Sequence, residues 1–501
     1  MKHFTGRLNT GVPGLDDILA GGLIPERLYL IDGNPGSGKT TFALQFLLEG
    51  VRRGEKCLYV TLSETRIELE AGATSHGWSL DGVDIVELVP DQQHELQGDG
   101  QLTMIHPSDV ELSETMAKIL AAIERADPTR VVFDSLSEMR LLAQSSLRYR
   151  REILALKQFF AGRGCTVVLL DDRTAEGPDL QLHSIAHGVI ALYMNAPAYG
   201  QARRQLQVLK LRGSDYVSGF HDFSIRYGGL RVHPRLIAAE HSAEFGHSLI
   251  ASGVQSLDTL LGGGIERGTS TLLVGPPGSG KSTIALQYAS AAAARGDHAA
   301  SFIFDETKTA LITRSKGVGL EINEGHGPGQ IRLRQIDPVE ISPGEFAASV
   351  RESVEKDGAR VVIIDSLNGY LNAMPQDNFL TAQLHELLSY LSNKGVTTFM
   401  VVAQHGMLGA NTSSPIDASY LADSVIMLRY FEHSGSVKKA ISVMKKRTGG
   451  HEESIRQLRF GPQGIRLSDP LLQLRGVLTG VPVEISERPS QEPRPPRGGI
   501  A

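Results

Sequence analysis

Eight consecutive residues, Gly33-Asn34-Pro35-Gly36-Ser37-Gly38-Lys39-Thr40, fit the pattern G-x-x-x-x-G-K-[ST]. Residues of these types at this spacing can wrap a phosphate chain. The glycines let backbone N–H groups close around a pyrophosphate, the lysine reaches the β- and γ-phosphates, and the last hydroxyl holds Mg²⁺. The pattern recurs at Gly275-Pro276-Pro277-Gly278-Ser279-Gly280-Lys281-Ser282. Thr41 and Thr283 follow the two loops and complete the expected phosphate-binding sets. Each loop lies behind an apolar, strand-like run, Leu28-Tyr29-Leu30-Ile31 or Leu272-Leu273-Val274. After the first loop Phe42, Ala43, Leu44, Phe46 and Leu47 recur at helical spacing, so the loop opens a helix whose positive end adds to anion binding. One match could be an ordinary turn; two in this context indicate a nucleotide-binding protein.

Further candidates stand at matching places in both halves. Val131-Val132-Phe133-Asp134 and Val361-Val362-Ile363-Ile364-Asp365 are apolar strands ending in a carboxylate. Such an aspartate can sit near Mg²⁺ and neutralise its charge, with Thr40 and Ser282 as the hydroxyl ligands; taken alone, it could equally cap a helix. Glu64, and in the second half Asp305 with Glu306, end the strand expected beside each loop. There a carboxylate can orient or deprotonate an attacking water or hydroxyl, or else cap the following helix, as Thr65 and Thr307 could. Lys210 and Arg212, and likewise Lys445 and Arg447, alternate on a strand and so share one face. Paired cations suit a developing phosphoryl charge, and if they serve a neighbour's nucleotide the sites lie between protomers of a ring. The other reading is a solvated basic edge strand. His183 and His187 are four apart, as two helical metal ligands would be, but no third ligand accompanies them and Asp423 stands at the position of His187 in the second half.

The elements that must position these groups come in two copies. Gly11-Val12-Pro13-Gly14-Leu15-Asp16 and Gly253-Val254-Gln255-Ser256-Leu257-Asp258 lie the same distance ahead of their loop lysines, so a whole domain is duplicated. Apolar strands alternating with helical stretches predict an α/β fold, each copy a mostly parallel sheet flanked by helices. The domains are expected at 1–240 and 241–485, with a Pro- and Arg-rich disordered tail at 486–501. The 501 residues carry a net charge of −6, which gives no support to nucleic-acid binding. Cys57 and Cys165, the two cysteines, lie in apolar runs and are expected to be buried thiols of a cytoplasmic protein. No run approaches the length that spans a membrane.

With these residues assembled, the chain resembles the KaiC family of tandem-domain circadian clock ATPases over roughly residues 6 to 480. The likeness rests on Asp16-Asp17-Ile18, the Gly21-Gly22 turn, Gln45-Phe46-Leu47, Ser75-His76-Gly77-Trp78 and Leu209-Lys210-Leu211-Arg212-Gly213. In the second half it rests on Val425 to Tyr430 and Lys445 to Arg447. It implies two RecA-like P-loop domains stacked as tiers of a homohexamer, with ATP and Mg²⁺ between protomers and Ser75 among the nucleotide-binding residues. The resemblance also implies slow hydrolysis in the first tier, and in the second both hydrolysis and phosphorylation of the chain on adjacent Ser and Thr. Ser419 falls on the Ser position and Tyr420 on the Thr position, which leaves Ser419 as the phosphorylation candidate. Ser63-Glu64 stands where the family has two glutamates, implying slower turnover in the first domain. Signalling or regulatory proteins are the implied partners. Two further functions share the fold: a nucleotide-gated hexameric scaffold with negligible turnover, and a DNA recombinase or helicase, which the charge and composition disfavour.

Overall fold

A computed structural model describes residues 6–88, 107–143, 145–173, 180–197, 199–372, 379–404 and 420–484. In it the apolar runs bounded by glycines and carboxylates are strands buried on both faces, as a helix-covered parallel sheet requires. In the first half these are β1 (Leu28–Gly33), β2 (Cys57–Thr61), β3 (Val83–Glu87), β4 (Arg130–Asp134), β5 (Thr166–Asp172) and β6 (Gly188–Asn195). They are followed by β7 (Arg203–Leu211), β8 (Phe220–Arg226) and β9 (Gly229–His233). The sheet order is β3-β2-β4-β5-β1-β6-β7-β8-β9. Strands β3 through β6 are parallel, and β7 to β9 add an antiparallel extension.

The second half repeats this plan. After a short pair, β10 (Leu249–Ile250) and β11 (Ile265–Glu266), come β12 (Ser270–Gly275), β13 (His298–Ile303), β14 (Ile331–Gln335), β15 (Ala359–Asp365) and β16 (Thr397–Ala403). The antiparallel extension consists of β18 (Ser436–Lys446), β19 (Arg456–Gly461) and β20 (Gly464–Pro470), joined through β17 (Ser424–His433). The order β14-β13-β15-β16-β12-β17-β18-β19-β20 matches the first sheet strand for strand. The expected pair of RecA-like α/β domains is therefore what the chain forms.

Each sheet is buried by helices that the hydrophobic pattern aims inward. Helix Lys39–Arg52 lays Phe42, Ala43, Phe46 and Leu47 on one face of the first sheet. On the other face lie Ile119 and Ile123 of helix Pro107–Ala126 and Ile153, Leu156 and Phe160 of helix Ser146–Phe160. In the second sheet the corresponding helix, Lys281–Ala294, is alanine-rich and approaches closely enough for Tyr288 to stack on Phe399 at 4.8 Å. The chain divides into two compact units, the first running to Arg235 with Ser342–Ala348 grouped to it, the second comprising Leu236–Ile341 and the residues from Ser349 onward.

Cys57 and Cys165 are buried free thiols, and burial pushes them up to about 11 and about 12. No helix among the described residues is long and apolar enough to cross a membrane. Strands β7 and β18 are inner strands along their length, but β8 pairs only with Arg204–Gln207 and β19 only with Lys439–Ile441, so the basic pairs lie where the strand is flanked on one side alone. Ser419 and the tail 486–501 lie outside the described residues.

Candidate active site

Both phosphate loops leave the carboxyl end of a strand central in its sheet, β1 or β12, where ligands of open α/β sheets bind. Gly36 and Gly38 have φ of 76° and 102°, and Gly278 and Gly280 have 73° and 107°, in the left-handed region that favours glycine. Gly38 and Gly280 are also needed for space. A Cβ on Gly38 would lie 2.5 Å from Ile225 Cδ1, and one on Gly280 would lie 2.1 Å from Phe460 Cζ. The β8–β9 and β19–β20 hairpins thus back the loops.

Behind each loop a helix begins with no side-chain cap on its first amides. Ser37 Oγ and Ser279 Oγ are buried without a hydrogen-bond partner. Unclaimed amides, an orphaned hydroxyl and a lysine together fit a phosphate group. Lys39 Nζ donates to Gly33 O at 2.9 Å and Asn34 O at 3.1 Å, and Lys281 Nζ to Gly275 O at 2.8 Å and Pro276 O at 2.9 Å. Both lysines are thereby curled back over their own loop.

The carboxylates gather at the ends of β2 and β4, and of β13 and β15. Thr40 Oγ1 donates to Asp134 Oδ2 at 3.3 Å, and the Tyr59 phenol donates to the same oxygen at 2.5 Å. Burial raises the Asp134 carboxyl, against the pull of these two hydrogen bonds. Burial pushes Asp365 up to about 6, with the Ser282 hydroxyl opposing. Glu64, half-buried at the end of β2, is raised by burial and by Asp134 and Glu68, and no cation pairs with it among the described residues. In the second unit Glu306 is ion-paired to Arg314 at 2.6 Å, and Arg314 also donates to Thr283 Oγ1 at 3.0 Å. Asp305 accepts from the Ser366 hydroxyl. No cluster of three or more His, Cys, Asp or Glu suited to a metal occurs among the described residues. A divalent ion at Thr40 and Asp134, or at Ser282 and Asp365, would therefore draw its remaining ligands from phosphate and water, as Mg²⁺ commonly does.

The basic pairs are not brought to these loops. Lys210 pairs in register with Val189, and Val189 with Leu30, which places it three residues before Gly33, about 10 Å along the strand. Lys445, Val425 and Leu272 repeat that relation. At this far end Lys210 Nζ donates to His183 O at 2.5 Å and Arg212 to Ser184 O at 3.2 Å. Lys445 donates to Ala422 O at 2.7 Å and Arg447 to Tyr420 O at 3.3 Å. Ser75 Oγ bonds to Gly72 O at 2.7 Å within its own helix, and the next residue, His76, docks on the β8–β9 turn through Arg226 O at 3.2 Å. The two histidines have separate partners. His183 Nε2 lies 3.4 Å from Asp32 Oδ2, whereas His187 lies past the end of the helix and accepts the Leu28 N–H at 3.2 Å.

The model of the KaiC ATPase family matches residues 8–237 and again residues 250–471. The chain belongs to the KaiC family of ATPases. It is similar to the circadian clock protein KaiC3 of Synechocystis sp., 26% identical over 490 residues that cover 95% of this chain and 94% of that protein. Similar too are the circadian clock oscillator proteins KaiC of Acaryochloris marina, 25% identical over 494 residues with 96% and 92% covered, and of Synechococcus elongatus, 25% over 490 residues with the same coverage. Each KaiC match contains a phosphate loop, an aspartate ending the strand β4 or β15, and a basic pair.

Four neighbours of these sites escaped the reading of the sequence. Tyr59 on Asp134 and Arg314 on Glu306 are visible only once strands and helices are packed. Lys439 lies 5.0 Å from the Phe460 ring that covers Gly280. The fourth, Asp172 at the end of β5, forms an ion pair with Lys39 at 2.6 Å. Its signal was available: the equivalent strand ends in Ala403, so setting the two copies side by side exposes an acid present only in the first.

Proposed function

We propose that this KaiC-family ATPase is a cytoplasmic homohexamer that hydrolyses ATP in both units and phosphorylates its own Ser419 in the second. The observation that carries the reading is the position of the basic pairs. Lys210 with Arg212 and Lys445 with Arg447 lie at the end of the sheet opposite their own phosphate loops, in register with the start of β1 and β12. Cations placed there serve a nucleotide only if it belongs to the next protomer, so a ring completes every site.

In each unit the loop amides and Lys39 or Lys281 bind the phosphates. Mg²⁺, held by Thr40 with Asp134 and by Ser282 with Asp365, would neutralise phosphate charge. Glu64 or Glu306 accepts a proton from the attacking water as its oxygen bonds to the γ-phosphorus and the bond to the β-phosphate oxygen breaks. The neighbour's Lys and Arg stabilise the charge that develops on the transferred group. In the second unit the Ser419 hydroxyl replaces water, giving phosphoserine and ADP. Signalling proteins are the partners this output would reach.

The test is ADP release and phosphate incorporation in the intact protein and in Lys281→Ala, with mass spectrometry locating the phosphate. Incorporation on Ser419 that disappears in Lys281→Ala is expected; incorporation that persists would remove the kinase assignment. A second reading, a ring held together by ATP with negligible turnover, draws on the engagement of Asp305 by Ser366 and of Glu306 by Arg314. It requires hexamers by light scattering in Glu64→Gln and Glu306→Gln and no ADP release from the unmodified protein.

A further inference from the structure

The two loop lysines differ in how many of their protons are already claimed. An ammonium has three donors. Lys281 spends two, on Gly275 O and Pro276 O, and keeps one for an incoming phosphate. Lys39 spends two on Gly33 O and Asn34 O, and its third meets Asp172 Oδ1 at 2.6 Å. The lysine side chain is 9% exposed and that of Asp172 34%, so the contact lies at the mouth of the loop, where a phosphate arrives.

We propose that Asp172 is an affinity-setting residue of the first site, an internal anion that occupies the phosphate's place on Lys39 and must be displaced by it. Two features make displacement costly. The other oxygen, Asp172 Oδ2, accepts from Ser137 Oγ at 3.3 Å, a neutral donor that Asp172 shares with Asp171 Oδ1. The nearby guanidiniums are engaged elsewhere: Arg173 donates to Asp32 at 3.0 Å, and Arg140 to Asp171 at 2.6 Å. Among the described residues a carboxylate freed from Lys39 therefore finds no waiting cation, and it stays close to the entering phosphates, with like charge. The second unit has Ala403 at this position, and among the described residues no carboxylate pairs with its lysine. The first site should bind ATP more weakly and exchange it faster than the second.

This inference rests on nucleotide binding at the first loop and is independent of hexamer geometry and kinase activity. A fluorescent ATP analogue is titrated, with and without Mg²⁺, into the full chain carrying Lys281→Ala, so that the first site is read alone. Adding Asp172→Asn, which keeps shape and removes charge, is expected to tighten binding about tenfold, the effect of losing one partly exposed charge-assisted competitor. The reverse change, Ala403→Asp in a Lys39→Ala background, is expected to weaken the second site by a similar factor. Unchanged or weaker binding in Asp172→Asn overturns the proposal. Unaltered affinity in Ala403→Asp overturns the claim that the acid at this position suffices. No binding in the Lys281→Ala background would overturn both this inference and the nucleotide reading of the first loop, whereas binding indifferent to Asp172 removes the competitor alone.

Discussion

The first and second phosphate loops follow the same backbone course yet carry opposite electrostatic arrangements. In the first unit the lysine is neutralised by Asp172 while Glu64 has no cation beside it among the described residues. In the second no carboxylate pairs with the lysine among the described residues, burial pushes it down to about 8, and the glutamate is neutralised by Arg314. The first site therefore holds the charge on its loop lysine in check and leaves its glutamate, the proposed base, available. The second does the reverse. Duplication kept the strand order and loop geometry, which backbone hydrogen bonding and glycine sterics enforce. It let the charges around them diverge, because ion pairs at a half-exposed cleft contribute little to folding.

The largest effects expected from breaking this comparison fall on the loop lysines. Lys39→Ala and Lys281→Ala should each weaken nucleotide binding at their own site by at least about a hundredfold, since each removes a charge-assisted contact from a buried position. Only Lys39→Ala strands a carboxylate. It should therefore also lower the melting point of the first unit, which Trp78, the single tryptophan, reports by fluorescence. A fall seen equally in Lys281→Ala would erase the distinction.

Next in size are the acids. Glu64→Gln should slow ADP release from the first unit by about a hundredfold or more, the usual cost of losing a general base. The cation can then be exchanged between units. Arg314→Ala should free Glu306 and raise second-unit turnover several-fold. Gly72→Arg, placed at the position equivalent to Arg314 where a Cβ meets open space, should lower first-unit turnover by a comparable factor. Changes in the opposite directions would mean that Arg314 orients Glu306 rather than restraining it.

The smallest effect is on stability against acid. Burial pushes His187 and His233 in the first unit down to about 4, so both are neutral when folded. As pH falls from about 6.5 toward 4, the unfolded chain binds protons that the folded unit refuses, and stability is lost. The buried His233 accounts for about 3 kcal/mol of that loss, by the usual conversion of a pKa shift. The second unit carries Asp423 and Ser468 at these positions, and in that unit burial lowers His241 instead. Trp78 fluorescence melts across this range should show the first unit failing early, and His233→Gln should flatten the dependence.

Much of the fold was legible because its signals are local. A strand that is apolar throughout, a glycine loop and a helix of period 3.6 announce each phosphate site, and their repetition announced two domains. Asp134 and Asp365 were found because each ends a recognisable strand; Glu64 and Glu306 lie just past β2 and β13, which pair with β4 and β15 rather than standing beside the loop strands as expected. The partners of these acids were not found, since Tyr59 meets Asp134 across 75 residues and only through strand adjacency.

By itself, the sequence determined the loops, the strand-end carboxylates, the duplicated domain plan and the resemblance to the KaiC family, all properties of residues close together along the chain. Tertiary structure alone decided three things: that Lys210, Arg212, Lys445 and Arg447 lie at the end of the sheet away from their own loops, that Glu306 is paired while Glu64 has no cation among the described residues, and that Asp172 holds Lys39. Each depends on which strands become neighbours and on the level at which their side chains meet. Backbone hydrogen bonds between distant segments set that register, and local spacing does not encode it.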